Sequence, residues 1–219
     1  MTDTKEKLSL IFPGLVSVIL SIFFASQQEL YNNTNFLLLE ISVISVISHS
    51  VANYFVLLQQ KTKNSKTKNI FLETIQNALK HFYISIATSF FLFVVAVLLG
   101  APLFSDYNST FIWAFNTALL STSAFSWTFT FEYENLNIAM GDRMDTLKAQ
   151  WVFFSLWGSL LGSWLSAFVI PLDWDRPWQK WPIPGFLGAH FGYLISIVLF
   201  LILSGTIKEY HKQKGSKIN

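Results

Sequence analysis

Six runs of mostly apolar residues, each close to the length of a membrane-spanning helix, set what this chain can become. They cover about 8–26, 36–58, 82–99, 111–131, 151–170 and 186–203. A helix crossing the ~30 Å hydrocarbon core needs roughly 20 such residues. Backbone groups in lipid must bond internally, so the runs predict helices that pack into a bundle. The expected fold is an all-α polytopic membrane protein, with about six transmembrane helices in a single domain spanning 1–219. Charged residues are only 13% of the chain, against about 25% in soluble domains. Lipid is therefore the main solvent.

The first run is led by Lys5 and Lys7 and interrupted at Pro13–Gly14. A cleaved signal peptide is the rival reading, but Phe23 and Phe24 stand where small residues should precede a cut. It is read as a helix. A basic linker, Lys61–Lys68, follows the second run, and residues near 69–80 are expected to form a separate amphipathic surface helix. The third run ends at Gly100–Ala101–Pro102. The fourth is rich in Ser, Thr and Trp. A mixed-charge segment, 132–150, leads to the fifth run; a Pro/Trp-rich turn, 171–185, leads to the sixth, and a basic tail closes at 204–219.

Charge placement orients the bundle. Thirteen of the fifteen basic residues fall in the N-terminal segment, the second and fourth linkers, and the tail; Arg176 and Lys180 fall on the other side. The positive-inside rule makes the basic side cytosolic, with both termini there and the 171–185 turn in the lumen. Two glycosylation sequons, beginning at Asn32 and Asn108, lie on the same predicted side as the turn. That side fits a secretory-pathway membrane. The absence of cysteine excludes disulfides, thiolate nucleophiles and thiolate metal sites. A formal charge of +2 gives no footprint for nucleic acid, and no cofactor is expected.

Polar residues inside the runs are costly unless partnered. Ser42, Ser45, His49 and Asn53 recur at spacings of three and four, which draws one stripe down a helix face. The stripe is read as interhelical hydrogen bonding, with Asn116, Ser123, Ser126 and Thr130 as facing partners. A polar cavity or lipid-headgroup site around His49 is the competing reading. Gly158 and Gly162 on the fifth run, and Gly188 and Gly192 on the sixth, sit at four-residue intervals. Small residues so spaced let two helix backbones approach closely, so these runs are expected to form a tight antiparallel hairpin. His190 lies near the turn, where Asp173 or Asp175 could pair with it.

The turn concentrates Asp173, Trp174, Asp175, Arg176, Trp178 and Trp181 between prolines. Asp173–Trp174–Asp175 spells a D-x-D pattern that suits a hard cation, but any three residues with two aspartates match it. An Asp175–Arg176 ion pair in a proline-set turn, with Trp174, Trp178 and Trp181 anchored at headgroup level, is the simpler reading.

The run from Gly162 to Ile195, with Ile170–Pro182 (IPLDWDRPWQKWP) followed by Leu187, Gly188, Gly192 and Tyr193, resembles the signature of the PIG-F family (phosphatidylinositol-glycan biosynthesis class F). That resemblance implies a multi-pass endoplasmic-reticulum protein of GPI-anchor assembly. It would be a non-catalytic accessory subunit that stabilises the large GPI ethanolamine-phosphate transferases, which move phosphoethanolamine to mannoses of the anchor precursor. Asp173, Trp174, Asp175, Arg176, Trp178, Trp181, His49, Asn53 and His190 are then candidates for partner or lipid contact. The scattered acids Glu29, Asp106, Asp173 and Asp175 are a poor inventory for a phosphoryl-transfer metal site. Two other classes stay open: a lipid-binding or lipid-presenting bundle, and an intramembrane transferase using Asp173 and Asp175.

Overall fold

A computed structural model describes residues 2–25, 33–61, 69–128, 138, 140–141 and 144–216. Among these, six long helices account for most of the chain: α1 (Thr2–Ala25), α2 (Thr34–Lys61), α3 (Ile70–Leu98), α4 (Tyr107–Thr128), α5 (Leu147–Ser166) and α6 (Ile183–Ser216). Two short 3-10 turns, Ala167–Val169 and Pro177–Gln179, lie between α5 and α6. Four stretches are long and apolar enough to cross a membrane: 34–51 within α2, Ile70–Leu98, Leu147–Val169 and Ile183–Ile207. The chain is an all-α membrane protein.

The helices alternate in direction. α5 and α6 run antiparallel, with Gly158 against Ser196 and Gly162 against Gly192. α3 opposes α4, as Phe93 and Phe90 meet Phe111 while Phe82 meets Phe115. α2 and α4 run parallel, tied by Ser109 to Asn35 at 2.9 Å and Asn116 to Ser42 at 3.0 Å. The N-termini of α2 and α4, the C-terminus of α3 and the α5–α6 connection therefore share one end of the bundle.

α4 is the axis. It packs against each of the other five helices, and the run from Asn116 to Phe125 is buried throughout. This explains why the fourth apolar run is the one rich in Ser and Thr: its surroundings are protein, and its hydroxyls bond to neighbours or to carbonyls a turn back. Thr122 bonds Ser85 of α3 at 2.9 Å and its own helix at Ala118 O. The hydrophobic core gathers Ile11, Val18, Leu120, Phe125, Trp151, Val152, Tyr193 and Phe200 from α1, α4, α5 and α6. A smaller cluster at the connection end joins Leu37, Leu38 and Ile41 to Ile183 and Phe186.

Three boundaries differ from the sequence expectation. No separate surface helix precedes the third run; Asn69 caps the helix by accepting from Phe71 N, and α3 continues unbroken to Leu98. Residues 183–185, expected in the turn, are the first turn of α6, where Pro184 sits without disrupting a helical hydrogen bond. The basic tail is helical to Ser216. At 34 residues α6 is ~50 Å long and outreaches the hydrocarbon core by several turns.

Candidate functional site

The connection between α5 and α6 is built around Gln179, a residue the sequence reading passed over. Its side-chain amide donates to Leu172 O at 2.6 Å and to Val169 O at 2.8 Å, and its Oε1 accepts from Arg176 N at 3.0 Å. Val169 O and Leu172 O lie just beyond α5 and also accept from Leu172 N and Trp174 N, and this one buried side chain ties the later part of the loop back onto both. Prolines at 171, 177 and 182 limit the remaining freedom, and the Trp181–Pro182 peptide is cis. Asp175 adopts φ 48°, in the left-handed region, which Asp tolerates better than most side chains.

The three tryptophans of the turn have three different placements. Trp181 points into the bundle: its indole N–H donates to Thr110 Oγ1 at 3.0 Å, and its ring lies 5.1 Å from that of Trp113. Trp113 in turn donates to Ser163 of α5 at 2.9 Å. Trp178 packs against the cluster of Leu37, Leu38, Ile41, Ile183 and Phe186. Only Trp174 is largely exposed, at 53%, with its ring 5.8 Å from Trp178. The connection is thus fastened to the N-terminal ends of α2 and α4 and does more than close the α5–α6 hairpin. The expectation of three headgroup-level anchors narrows to one.

Two predicted pairings fail. His190 is buried, and its Nδ1–H donates to Phe186 O at 2.9 Å, one turn back in α6; its Nε2 has no hydrogen-bond partner. Asp173 and Asp175 are exposed, and an aspartate side chain on the outside of the turn does not reach an imidazole two turns inside the helix. No ion pair joins Asp175 to Arg176; Asp175 sits in the left-handed region, and Arg176 uses its N–H on Gln179. Among the described residues, no three His, Asp or Glu side chains come together to hold a metal ion. Asp173, Trp174, Asp175 and Arg176 stand outward together as a rigid edge.

Below the connection, α2's polar face enters the bundle but finds partners on more helices than α4 alone. Ser42 accepts from Asn116 of α4, whereas Ser45 shares a 2.7 Å hydrogen bond with Ser17 of α1. His49 donates through Nδ1 to Ser45 O at 2.9 Å, and its ring lies 5.8 Å from that of His81 on α3. His81 donates to Leu119 O of α4 at 3.0 Å. Ser123 faces Tyr193 of α6 at 3.4 Å rather than α2. The Asn53 side chain, Ser126 and Thr130 lie outside the described side chains. His81 was missed because the third run was started at 82; His81, Ser85 and Ser89 at four-residue intervals were the signal that could have found it. Most groups of this seam bond one another, while His49 Nε2, Asn116 Oδ1 and Thr117 Oγ1 are buried without a hydrogen-bond partner.

The α5–α6 contact is as close as helix backbones come. A Cβ on Gly158 would sit 2.5 Å from Ser196 Cβ and 2.7 Å from Gly192 O, and one on Gly162 would meet Gly188 O and Gly192 Cα. Gly188 and Gly192 face Gly162 and Gly158 in return. Gly14 of α1 seats the Tyr193 ring in the same way, which gives the Pro13–Gly14 interruption a packing role.

Comparison with known proteins agrees with this arrangement. The sequence profile described as GPI biosynthesis protein family Pig-F matches residues 15–201. A mouse protein named GPI ethanolamine phosphate transferase, stabilizing subunit, is 31% identical over 90% of this chain and 91% of its own length. A Schizosaccharomyces pombe PIGF/3-ketodihydrosphingosine reductase fusion protein is 37% identical over 50% of this chain, which is 22% of that protein. Glycosylphosphatidylinositol anchor biosynthesis protein 11 of Yarrowia lipolytica is 36% identical over 61% of this chain and 56% of its own. No solved structure matches. With the profile spanning nearly the whole bundle, from α1 through α6, this chain belongs to the GPI biosynthesis protein family Pig-F.

Proposed function

We propose that the chain is the stabilising subunit of an endoplasmic-reticulum GPI ethanolamine phosphate transferase, and that it takes no direct part in the chemistry. The likeness to the mouse stabilizing subunit along nine-tenths of both chains carries this reading. The residue inventory supports it. Transfer of a phosphoryl-linked group needs a nucleophile and cations held by converging ligands, while among the described residues no three His, Asp or Glu side chains converge. In this reading a large partner subunit holds the active site and moves phosphoethanolamine to a mannose of the GPI precursor. The present chain braces that partner's transmembrane helices, with its rigid Asp173–Arg176 edge on the lumenal side. Six spans, with both termini in the cytosol, complete the proposed topology.

The test is activity of the assembled complex carrying Asp173→Asn together with Asp175→Asn. Asn at 175 keeps the tolerance for a left-handed backbone, so the turn should survive. Transfer by the purified complex is expected to stay within about twofold of wild type. An assembled complex without turnover would return the two aspartates to the catalytic centre.

A further inference from the structure

Glu40 is the only charged residue between Thr34 and Val51. It stands five residues beyond Asn35, whose bond to Ser109 marks the connection end of the bundle. At about 1.5 Å per residue that places it ~7 Å further along the helix toward the membrane interior. Its side chain is half-buried, and it makes no hydrogen bond or ion pair with a described residue.

The face that carries Glu40 looks away from the bundle. Counting about 100° per residue, it lies between Ile47 and Val51, which are 56% and 51% exposed, at the edge of the stripe that also holds Phe36 and Val43. The opposite face of α2, with Leu38, Ile41, Ser45 and His49, is buried against α1, α3 and α4. The exposed stripe runs on into a shallow groove of ≈ 360 Å³ between α1 and α2. Phe12, Val16 and Leu20 form one wall of it, and Ile44, Ile47 and Val51 the other. Residues at four-residue spacing on both walls make the kind of furrow that accepts a ridge of another helix.

We propose that the α1–α2 face is where a transmembrane helix of the partner subunit packs, with a Lys or Arg of that helix paired to Glu40 within the membrane. An ionisable group at membrane depth is expensive to keep unless it meets an opposite charge, and no described residue supplies one to Glu40. The groove below has no charged residue, so the helix it takes is apolar along its length and basic only near the level of Glu40. An ethanolamine headgroup could also neutralise a carboxylate, and loss of co-purifying phosphatidylethanolamine without loss of the transferase is the outcome that would show it. The proposal rests on the subunit reading above.

The test co-expresses the full-length chain with its transferase and compares wild type, Glu40→Gln and Glu40→Leu. Recovery of the transferase in mild detergent is expected to fall at least about tenfold for both variants, since truncating one partner of a buried charge pair is costly. Without the transferase, the thermal midpoint of the chain should hold for Gln and hold or rise for Leu. Transferase recovery at the wild-type level by both variants overturns the proposal, including the case where only co-purifying phosphatidylethanolamine is lost. A lowered midpoint of the lone Glu40→Leu chain overturns it too, because Glu40 would then serve its own fold. Failure of the wild-type chain to recover any transferase would instead defeat the subunit reading, and this proposal with it.

Discussion

Gln179 shows how much of this molecule rests on single uncharged side chains. Its amide bonds three backbone groups, two of them carbonyls that also accept from Leu172 N and Trp174 N. Gln179→Ala should destabilise the chain by about 1–3 kcal/mol, the loss of three modest hydrogen bonds. Gln179→Glu should be no better, because it retains the acceptor for Arg176 N but sets a carboxylate oxygen against the Val169 and Leu172 carbonyls. Thermal unfolding of the purified protein in detergent measures both, with Lys180→Ala as the exposed neighbour expected to change stability by less than about 0.5 kcal/mol. Nothing in the sequence drew attention to this residue. Aspartates and tryptophans stand out by charge and size, whereas a glutamine acquires its role only when the chain ten residues earlier folds back beside it. The same limit explains His190: proximity in sequence to two aspartates suggested a pair, and the helix carried the ring inward to its own carbonyl instead.

At the scale of helices the sequence was far more legible, because period and composition report directly on packing. The glycines at 158, 162, 188 and 192 predicted an antiparallel hairpin, and the backbones of α5 and α6 do approach at those residues. Adding one methyl group is therefore a test of the whole contact. Gly162→Ala should force α5 and α6 apart and cost about 1–3 kcal/mol, the usual range for overpacking. Gly205→Ala, where a Cβ meets nothing within 4 Å, should leave the fold intact and gain about 0.5–1 kcal/mol from helix propensity. A similar loss at both positions in thermal unfolding would mean that the glycines act through backbone freedom rather than close approach. Periodicity was less informative where a run changes solvent partway. α3 carries Glu73, Gln76, Asn77 and Lys80 among its first twelve residues and passes into an apolar stretch without a break, so those twelve read as a separate element. α4 reads as rich in Ser and Thr because it is the axis of the bundle, packed against the other five helices.

For the whole molecule, the alternation of the helices and the distribution of charge make one joint claim that two single substitutions can test. α5 is 20 residues long, about 30 Å, which is the thickness of the hydrocarbon core. Lys148 is exposed at its start and Lys180 is exposed on the connection beyond its end. If α5 spans the membrane, these two lysines lie on opposite sides. The positive-inside rule then assigns Lys148, grouped with twelve other basic residues, to the cytosol, and Lys180, grouped only with Arg176, to the lumen. Because the chain has no cysteine, Lys148→Cys and Lys180→Cys each give one reactive thiol against no background. In sealed microsomes a membrane-impermeant maleimide should label Cys at 148 at once, and at 180 only after the membrane is opened. Labelling of both before opening would rule out α5 as a span. The reverse pattern would keep the six-helix bundle but invert it, and would move the Asp173–Arg176 edge away from a lumenal partner. The expected pattern places that edge and the Glu40 level of α2 at the same end of the bundle, so one partner subunit could hold both.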